Sequence, residues 1–199
     1  GGKKLAWLQA ITYSDFGDVK MGNRYPKNYP NFGRRTQYIQ TVNGVDQLLT
    51  NEDDRVQKFS GYKQWDLLGK LQYKPNPYQS HQLNIQHSNS TNVPRYDRLQ
   101  DKKTFPGIGS SLRWAEWYYG PQTRWLSSYE WNNTHSKIAD ELRFTASYQD
   151  IKESRQQREY LAYSKFDSRR EHVQVASVNL DAKEKWKNQE LIVGIDGQF

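Results

Sequence analysis

The chain contains no cysteine, a single methionine and no block of five or more basic residues, in 199 residues. Without cysteine there are no disulfides, thiolate metal sites or thiol nucleophiles, a pattern compatible with the bacterial cell envelope. Nor is there a run of about 18 apolar residues, so a transmembrane helix is excluded. The start, GGKKLAWLQA, has neither the apolar centre nor the small-residue cleavage site of a signal peptide. Mean hydropathy is low, −1.06, yet aromatics reach 14% with 7 Trp and 14 Tyr, far more than a disordered tail carries. A β-barrel exposes only alternate residues to lipid, so low hydropathy is compatible with one. The net charge of +7 is scattered along the chain, which disfavours a nucleic-acid groove and points to an anionic surface or ligand.

What is present is alternation. Leu67, Gly69, Leu71 and Tyr73 oppose Asp66, Lys70 and Gln72, with Leu68 the exception; Leu83 and Ile85 oppose Gln82, Asn84 and Gln86. Leu142, Phe144, Ala146 and Tyr148 oppose Arg143, Thr145, Ser147 and Gln149 in the cleanest alternation of the chain. Trp125, Tyr129 and Trp131 share a face, as do Leu5, Trp7, Ile11 and Tyr13; Val178, Leu180 and Ala182 partner Leu191, Val193 and Ile195. Seven strands are predicted, at about 3–15, 63–74, 81–90, 120–133, 139–151, 170–184 and 188–199.

Connections between strands two and three, four and five, and six and seven are short. The others, 16–62, 91–119 and 152–169, are long. Regular alternation of tight turns and long loops, with strands of ten or more residues, predicts an all-β, antiparallel up-and-down transmembrane β-barrel fragment. Soluble sandwiches rarely carry several loops of this length, and a soluble or surface-attached β-sandwich binding glycan or protein is the competing expectation. Tyr13, Trp65, Tyr73 and Trp131 at strand ends suit interfacial girdles. Bacterial barrels have even strand numbers, so seven strands would be part of a larger barrel, truncated at both ends.

No catalytic constellation is found, and neither a metal nor a cofactor is expected. His81, His87, His135 and His172 are scattered; His81 and His87 are about 20 Å apart on one strand face, too far to share an ion. GIGSS at 107–111 is expected as a flexible loop and lacks the Gly-Lys-Ser/Thr of a phosphate loop. Candidate ligand contacts fall in the long loops: Arg95, Tyr96, Arg98, Trp114, Trp117, Tyr118 and Tyr119 in the second, Arg155 and Arg158 with Arg169 and Arg170 in or beside the third. Arginine forks grip carboxylates or phosphates and aromatic rings stack on flat ligands. A structural role competes: Asp97 pairing with Arg95 or Arg98 while the aromatics fasten the loop to the rim. Pro94, unable to donate a ladder bond, is expected to help end the strand before it.

Particular words in the chain add a resemblance. SDFGDVKMGNRY, QKFSGYKQWDLLGKLQYKPN, HQLNIQHSNSTNVPRYDRLQD, LRWAEWYYGPQTRWLSSYEW, LRFTASYQDIKESRQQREY and HVQVASVNLDAKEKW are similar in order and spacing to TonB-dependent receptors of the Bacteroidota outer membrane. VPRYDRL, AEWYYGPQ and YQDIKESRQQR are the most specific. The resemblance implies a barrel of about 22 strands with a plugged lumen, of which residues 1–199 would be an N-terminal part without the plug. It further implies cell outer membrane localisation and uptake of a large nutrient such as a ferric siderophore or haem-type iron complex. The implied partners are outer-membrane lipid, lipopolysaccharide beside the basic third loop, and the TonB energy-coupling complex through a missing N-terminal region.

Overall fold

A computed structural model describes residues 1–24 and 27–199, so Tyr25 of SDFGDVKMGNRY lies outside the described residues. In chain order the strands are β1 (Leu5–Phe16), β2 (Gln37–Val42), β3 (Val45–Thr50), β4 (Tyr62–Asn76), β5 (Gln79–Ser90) and β6 (Val93–Pro94). After a 3-10 turn at Arg98–Gln100 come β7 (Lys102–Phe105), β8 (Gly109–Leu112), β9 (Trp114–Tyr119), β10 (Thr123–Asn133), β11 (Glu141–Glu159), β12 (Asp167–Trp186) and β13 (Gln189–Gln198). Seven long strands run antiparallel in the order β1-β4-β5-β10-β11-β12-β13 and curl into a half-barrel. The all-β, up-and-down fragment read from the alternation is therefore the fold.

The register explains why these residues alternate. One row across the sheet is Leu5, Tyr73, His81, Trp131, Phe144, Leu180 and Ile195; the next on that face is Trp7, Leu71, Leu83, Tyr129, Ala146, Val178 and Gly197. The interleaved row on the other face is Gln72, Gln82, Glu130, Thr145, Asn179 and Asp196. Concavities of about 560 Å³ (Gln64, Asp66, Gln86, Arg124) and about 300 Å³ (Glu141, Arg143, Asp181, Lys183) open on the polar face, so that face is the inner one. The convex face carries most of the apolar side chains, and they are exposed: Trp7 at 73% and Ile195 at 73%.

The apolar run does not follow the rows. Its midpoint is Gln9 on β1, within Leu5–Tyr13, and Gly69 on β4, within Trp65–Tyr73. The row through Gln9 continues as Gly69, Ile85, Ser127, Tyr148, Ala176 and Phe199. On β11 the run is Leu142–Tyr148, on β12 Ala176–Ala182, and on β13 Leu191–Phe199, centred on Ile195, four residues from Phe199. Four residues at about 3.4 Å each, across six gaps of about 4.8 Å, make an angle of about 25° between the apolar belt and the rows. Gln9 on the edge strand is a polar break at the centre of the run. Aromatic residues stand at the ends: Tyr13 against Trp65 with ring centres 5.3 Å apart, and Tyr73 and Trp131 at the other margin.

Several expectations are corrected. The turns at one end are tighter than KPNPYQS and EKWKN suggest: Pro77 and Tyr78 join β4 to β5, and Lys187 and Asn188 join β12 to β13. Pro75 sits in β4 where the register shifts between Tyr73 and Asn76, an irregularity that spares the ladder its missing donor. The third long loop is not a loop, since β11 extends to Glu159 and β12 begins at Asp167, leaving residues 160–166 as the connection. Arg155, Arg158, Arg169 and Arg170 are thus strand residues, in a polar stretch whose ladder is completed by β9 rather than signalled by hydrophobic alternation. Pro94 does not take the chain out of pairing: β5 has ended at Ser90, and Val93 and Pro94 pair with Tyr119 and Tyr118. GIGSS is the corner and second strand of the β7–β8 hairpin, with Gly107 and Gly109 at φ of 75° and 85°.

Candidate functional site at the long-loop end

The two long connections build a layer over one end of the sheet. Of the four buried apolar residues among the described ones, Ile39, Leu112 and Trp117 belong to this layer. Its first part, residues 17–61, carries the β2–β3 hairpin, and is fixed by polar side chains. Asn51 donates to the carbonyls of Arg35 at 2.8 Å and Val56 at 2.6 Å, and Asp18 accepts from the Ser60 and Gly61 amides at 2.8 and 3.0 Å.

The β9–β11 register sorts the candidate residues. Tyr119 lies opposite Arg155 and Trp117 opposite Gln157; Tyr118 lies opposite Gln156 and Glu116 opposite Arg158. Odd-numbered β11 residues such as Thr145 and Gln149 continue the concave face, so Trp117, Tyr119 and Arg155 belong there and Tyr118 and Arg158 do not. Arg169, opposite Arg155, joins the concave set, while Arg170, opposite Ser154, faces away. The candidates therefore form two groups rather than one site.

In the concave group Arg95 is held from several sides. Its guanidinium forms a two-pronged pair with Asp97, both bonds 3.2 Å, donates to the Tyr119 hydroxyl at 3.1 Å and lies 4.8 Å from the centre of the Trp117 ring. Partial burial pushes the Asp97 carboxyl up, but the Arg95 hydrogen bonds and charge outweigh it and hold the group below its ordinary range. Arg98 pairs with Asp101 at 3.3 Å rather than with Asp97. Tyr96 is exposed and its carbonyl accepts from the Gln57 amide. Trp114 donates its indole N–H to Asp101 at 3.4 Å beneath the Arg113 guanidinium. Arg155 differs from these: its guanidinium lies 5.5 Å from the centre of the Tyr119 ring, and it has no carboxylate partner among the described residues. Trp117, Arg155, Gln157, Asp167 and Arg169 line a cavity of about 100 Å³.

The opposite group is a fastening. Arg158 is 6% exposed; it donates to Asp46 at 2.7 and 2.8 Å, to Glu116 at 2.9 and 3.0 Å and to Thr41 Oγ1 at 3.0 Å. Asp46 also accepts from Thr41 Oγ1 at 2.8 Å and the Leu161 amide at 2.9 Å. Burial pushes the Asp46 carboxyl up, yet these bonds, Arg158 foremost, prevail and lower it from its ordinary value of 3.8. The five hydrogen bonds of Arg158 are all made within the protein, joining the β2–β3 hairpin to β9 and β11. No local signal in the sequence marks Asp46, which stands 112 positions from Arg158. Tyr118 borders a groove of about 410 Å³ with Ile39, Phe59, Pro94 and Leu99, where burial and nearby Glu116 raise its hydroxyl pKa.

The histidines stay apart from both groups. His81 and His87 stand at the two ends of the convex run on β5, His81 2.8 Å from the Tyr129 hydroxyl and His87 against Trp125. No three or more His, Asp or Glu side chains converge as a metal site requires among the described residues. No family model, curated protein or solved structure matches the chain.

Proposed function

We propose that the chain is part of the barrel wall of an outer-membrane transporter of the TonB-dependent receptor kind, importing a large anionic nutrient such as a ferric siderophore or haem-type iron complex. The oblique apolar belt carries this reading. Strands in a membrane barrel tilt by about 35–45°, so the lipid zone must cut the hydrogen-bond rows at that angle. The belt shifts in the same sense from β4 to β13, at about 25° by strand spacing, an oblique cut somewhat shallower than that tilt. On β1 it is about 25 Å tall along the membrane normal, the height of the band of about 25 Å that barrels present; on β10 to β12 it is shorter by one row. A sheet buried in a sandwich has no reason to shift its apolar set steadily along its strands.

The polar concave face then lines the lumen, and the layer built by residues 17–61 and 91–122 forms the outer mouth. Arg95, Tyr119, Arg155 and Arg169 face the incoming solute there over the buried Trp117, and Arg158 holds the mouth together. Insertion is tested by tryptophan quenching with brominated lipids in vesicles of outer-membrane composition. Trp7, Trp125 and Trp131 belong to the belt and Trp114 and Trp117 to the mouth. With other tryptophans replaced by Phe, Trp7 should be quenched strongly and Trp117 hardly at all; equal quenching would remove the membrane reading.

A further inference from the structure

We propose that Arg155 and Arg169, opposed across β11 and β12 on the concave face, form with Trp117 and Tyr119 a binding site for an oxyanion group, phosphate or carboxylate, of an incoming solute. The proposal rests on the transporter reading only for the solute's route; the site stands on its own geometry.

The starting point is the ladder. Arg155 and Arg169 are direct cross-strand partners, and like charges placed directly opposite one another destabilise a sheet. Local compensation is incomplete. Arg169 reaches Asp167 only at 3.9 Å, and Asp167 is already hydrogen-bonded by Gln157 at 2.9 Å. Arg155 has no carboxylate partner among the described residues. One row further along the same face Glu153 and Glu171 are likewise opposed, yet neither is in ion-pair contact with the two arginines, and Glu153 instead accepts from Gln122 at 3.4 Å.

A third guanidinium shares the same ring. Arg95 lies 5.8 Å and Arg155 5.5 Å from the centre of the Tyr119 ring. Asp97 and Asp167 are the carboxylates in contact with the three guanidiniums, Glu153 and Glu171 lie one row away, and Arg95 is engaged by Asp97. The donors left for a ligand are those of Arg155 and Arg169, whose planar forks suit carboxylate and phosphate oxygens. The cavity beside them is about 100 Å³, space for a single oxyanion group and not for a whole nutrient, given about 30 Å³ per water. An anion bridging the two forks would offset their mutual repulsion, so binding and stability are linked here.

The test uses the full chain refolded in detergent micelles, with thermal unfolding followed as pyrophosphate or citrate is added against sodium chloride of equal ionic strength. The transition should move upward with the oxyanion. Arg155→Gln and Arg169→Gln should each weaken the response on the order of tenfold, as loss of a charged hydrogen-bond donor does. Arg169→Gln without anion should unfold no earlier than the parent. Arg170→Gln, which removes the same charge from the opposite face, should keep the full response. A larger shift with pyrophosphate assigns the site to phosphate-bearing solutes, and a larger shift with citrate to carboxylates. The proposal is overturned if Arg169→Gln lowers the anion-free transition and leaves the anion response intact, because the arginines would then be diagonal partners of Glu153 and Glu171. It is equally overturned if Arg170→Gln weakens binding as much as Arg169→Gln. Bilayer insertion is read separately by brominated-lipid quenching, so failure of one result leaves the other standing.

Discussion

Lysine placed at chosen points of two rows should produce costs that reverse between the rows. Leu5 and Phe144 lie in one row, Gly69 and Tyr148 in another. On β11 the belt spans Leu142–Tyr148, which puts Phe144 within about 3 Å of its midpoint and Tyr148 at its margin. On β1 and β4 the midpoints are Gln9 and Gly69, so Leu5 is marginal, about 12 Å from the centre along the membrane normal. A lysine facing lipid costs about 2–4 kcal/mol at the midplane and about 0–1 near an interface. Phe144→Lys and Gly69→Lys should therefore be costly, and Leu5→Lys and Tyr148→Lys mild. Gly69 suits the comparison, since a Cβ there meets nothing within 4 Å. Glutamine at the same positions measures the loss of the original side chain, and the lysine-minus-glutamine difference isolates the charge. The assay is denaturant unfolding from vesicles, with heat-modifiable migration of the folded chain as a second reading. Equal differences for Leu5 and Phe144 would refute the oblique belt, and with it the strongest argument for a membrane wall.

Three further outcomes are expected. Asp46→Ala leaves the buried Arg158 guanidinium with Glu116 as its remaining carboxylate; loss of a buried partner costs about 3–5 kcal/mol, and limited proteolysis should cut the β2–β3 hairpin far sooner while β10 to β13 stay protected. Because the Asp46 carboxyl is held below 3.8, its contribution is complete above that value and disappears as pH falls through the lower folded value. Hairpin protection should accordingly be flat from neutrality to about pH 4 and fall only below it; a loss near pH 6 would mean that another group governs docking. Gly61→Ala would set a Cβ 2.6 Å from the Phe16 carbonyl oxygen, a backbone contact that must give way at about 1–3 kcal/mol, and unchanged denaturant stability would show that the first long segment moves freely there.

Alternation alone determined which side chains share a face. Phe144 and Ala146, or Leu71 and Tyr73, share a face because a period of two leaves no other choice once a strand is recognised. Strand ends were less legible where the pattern turns polar: IKESRQQRE carries no apolar alternation, and only pairing with β9 and β12 makes it strand. Tertiary structure decided everything that depends on register. It set Arg155 against Arg169, separated Arg158 from Tyr119 by one residue of parity, and brought Asp46 to Arg158 across 112 positions. Local sequence fixes the direction of a side chain relative to its own strand, whereas its neighbours come from ladder offsets and loop closures that involve distant residues. The apolar residues were visible in the sequence; the slant of their belt, which points to a tilted membrane wall, appears only once the seven strands are set in register.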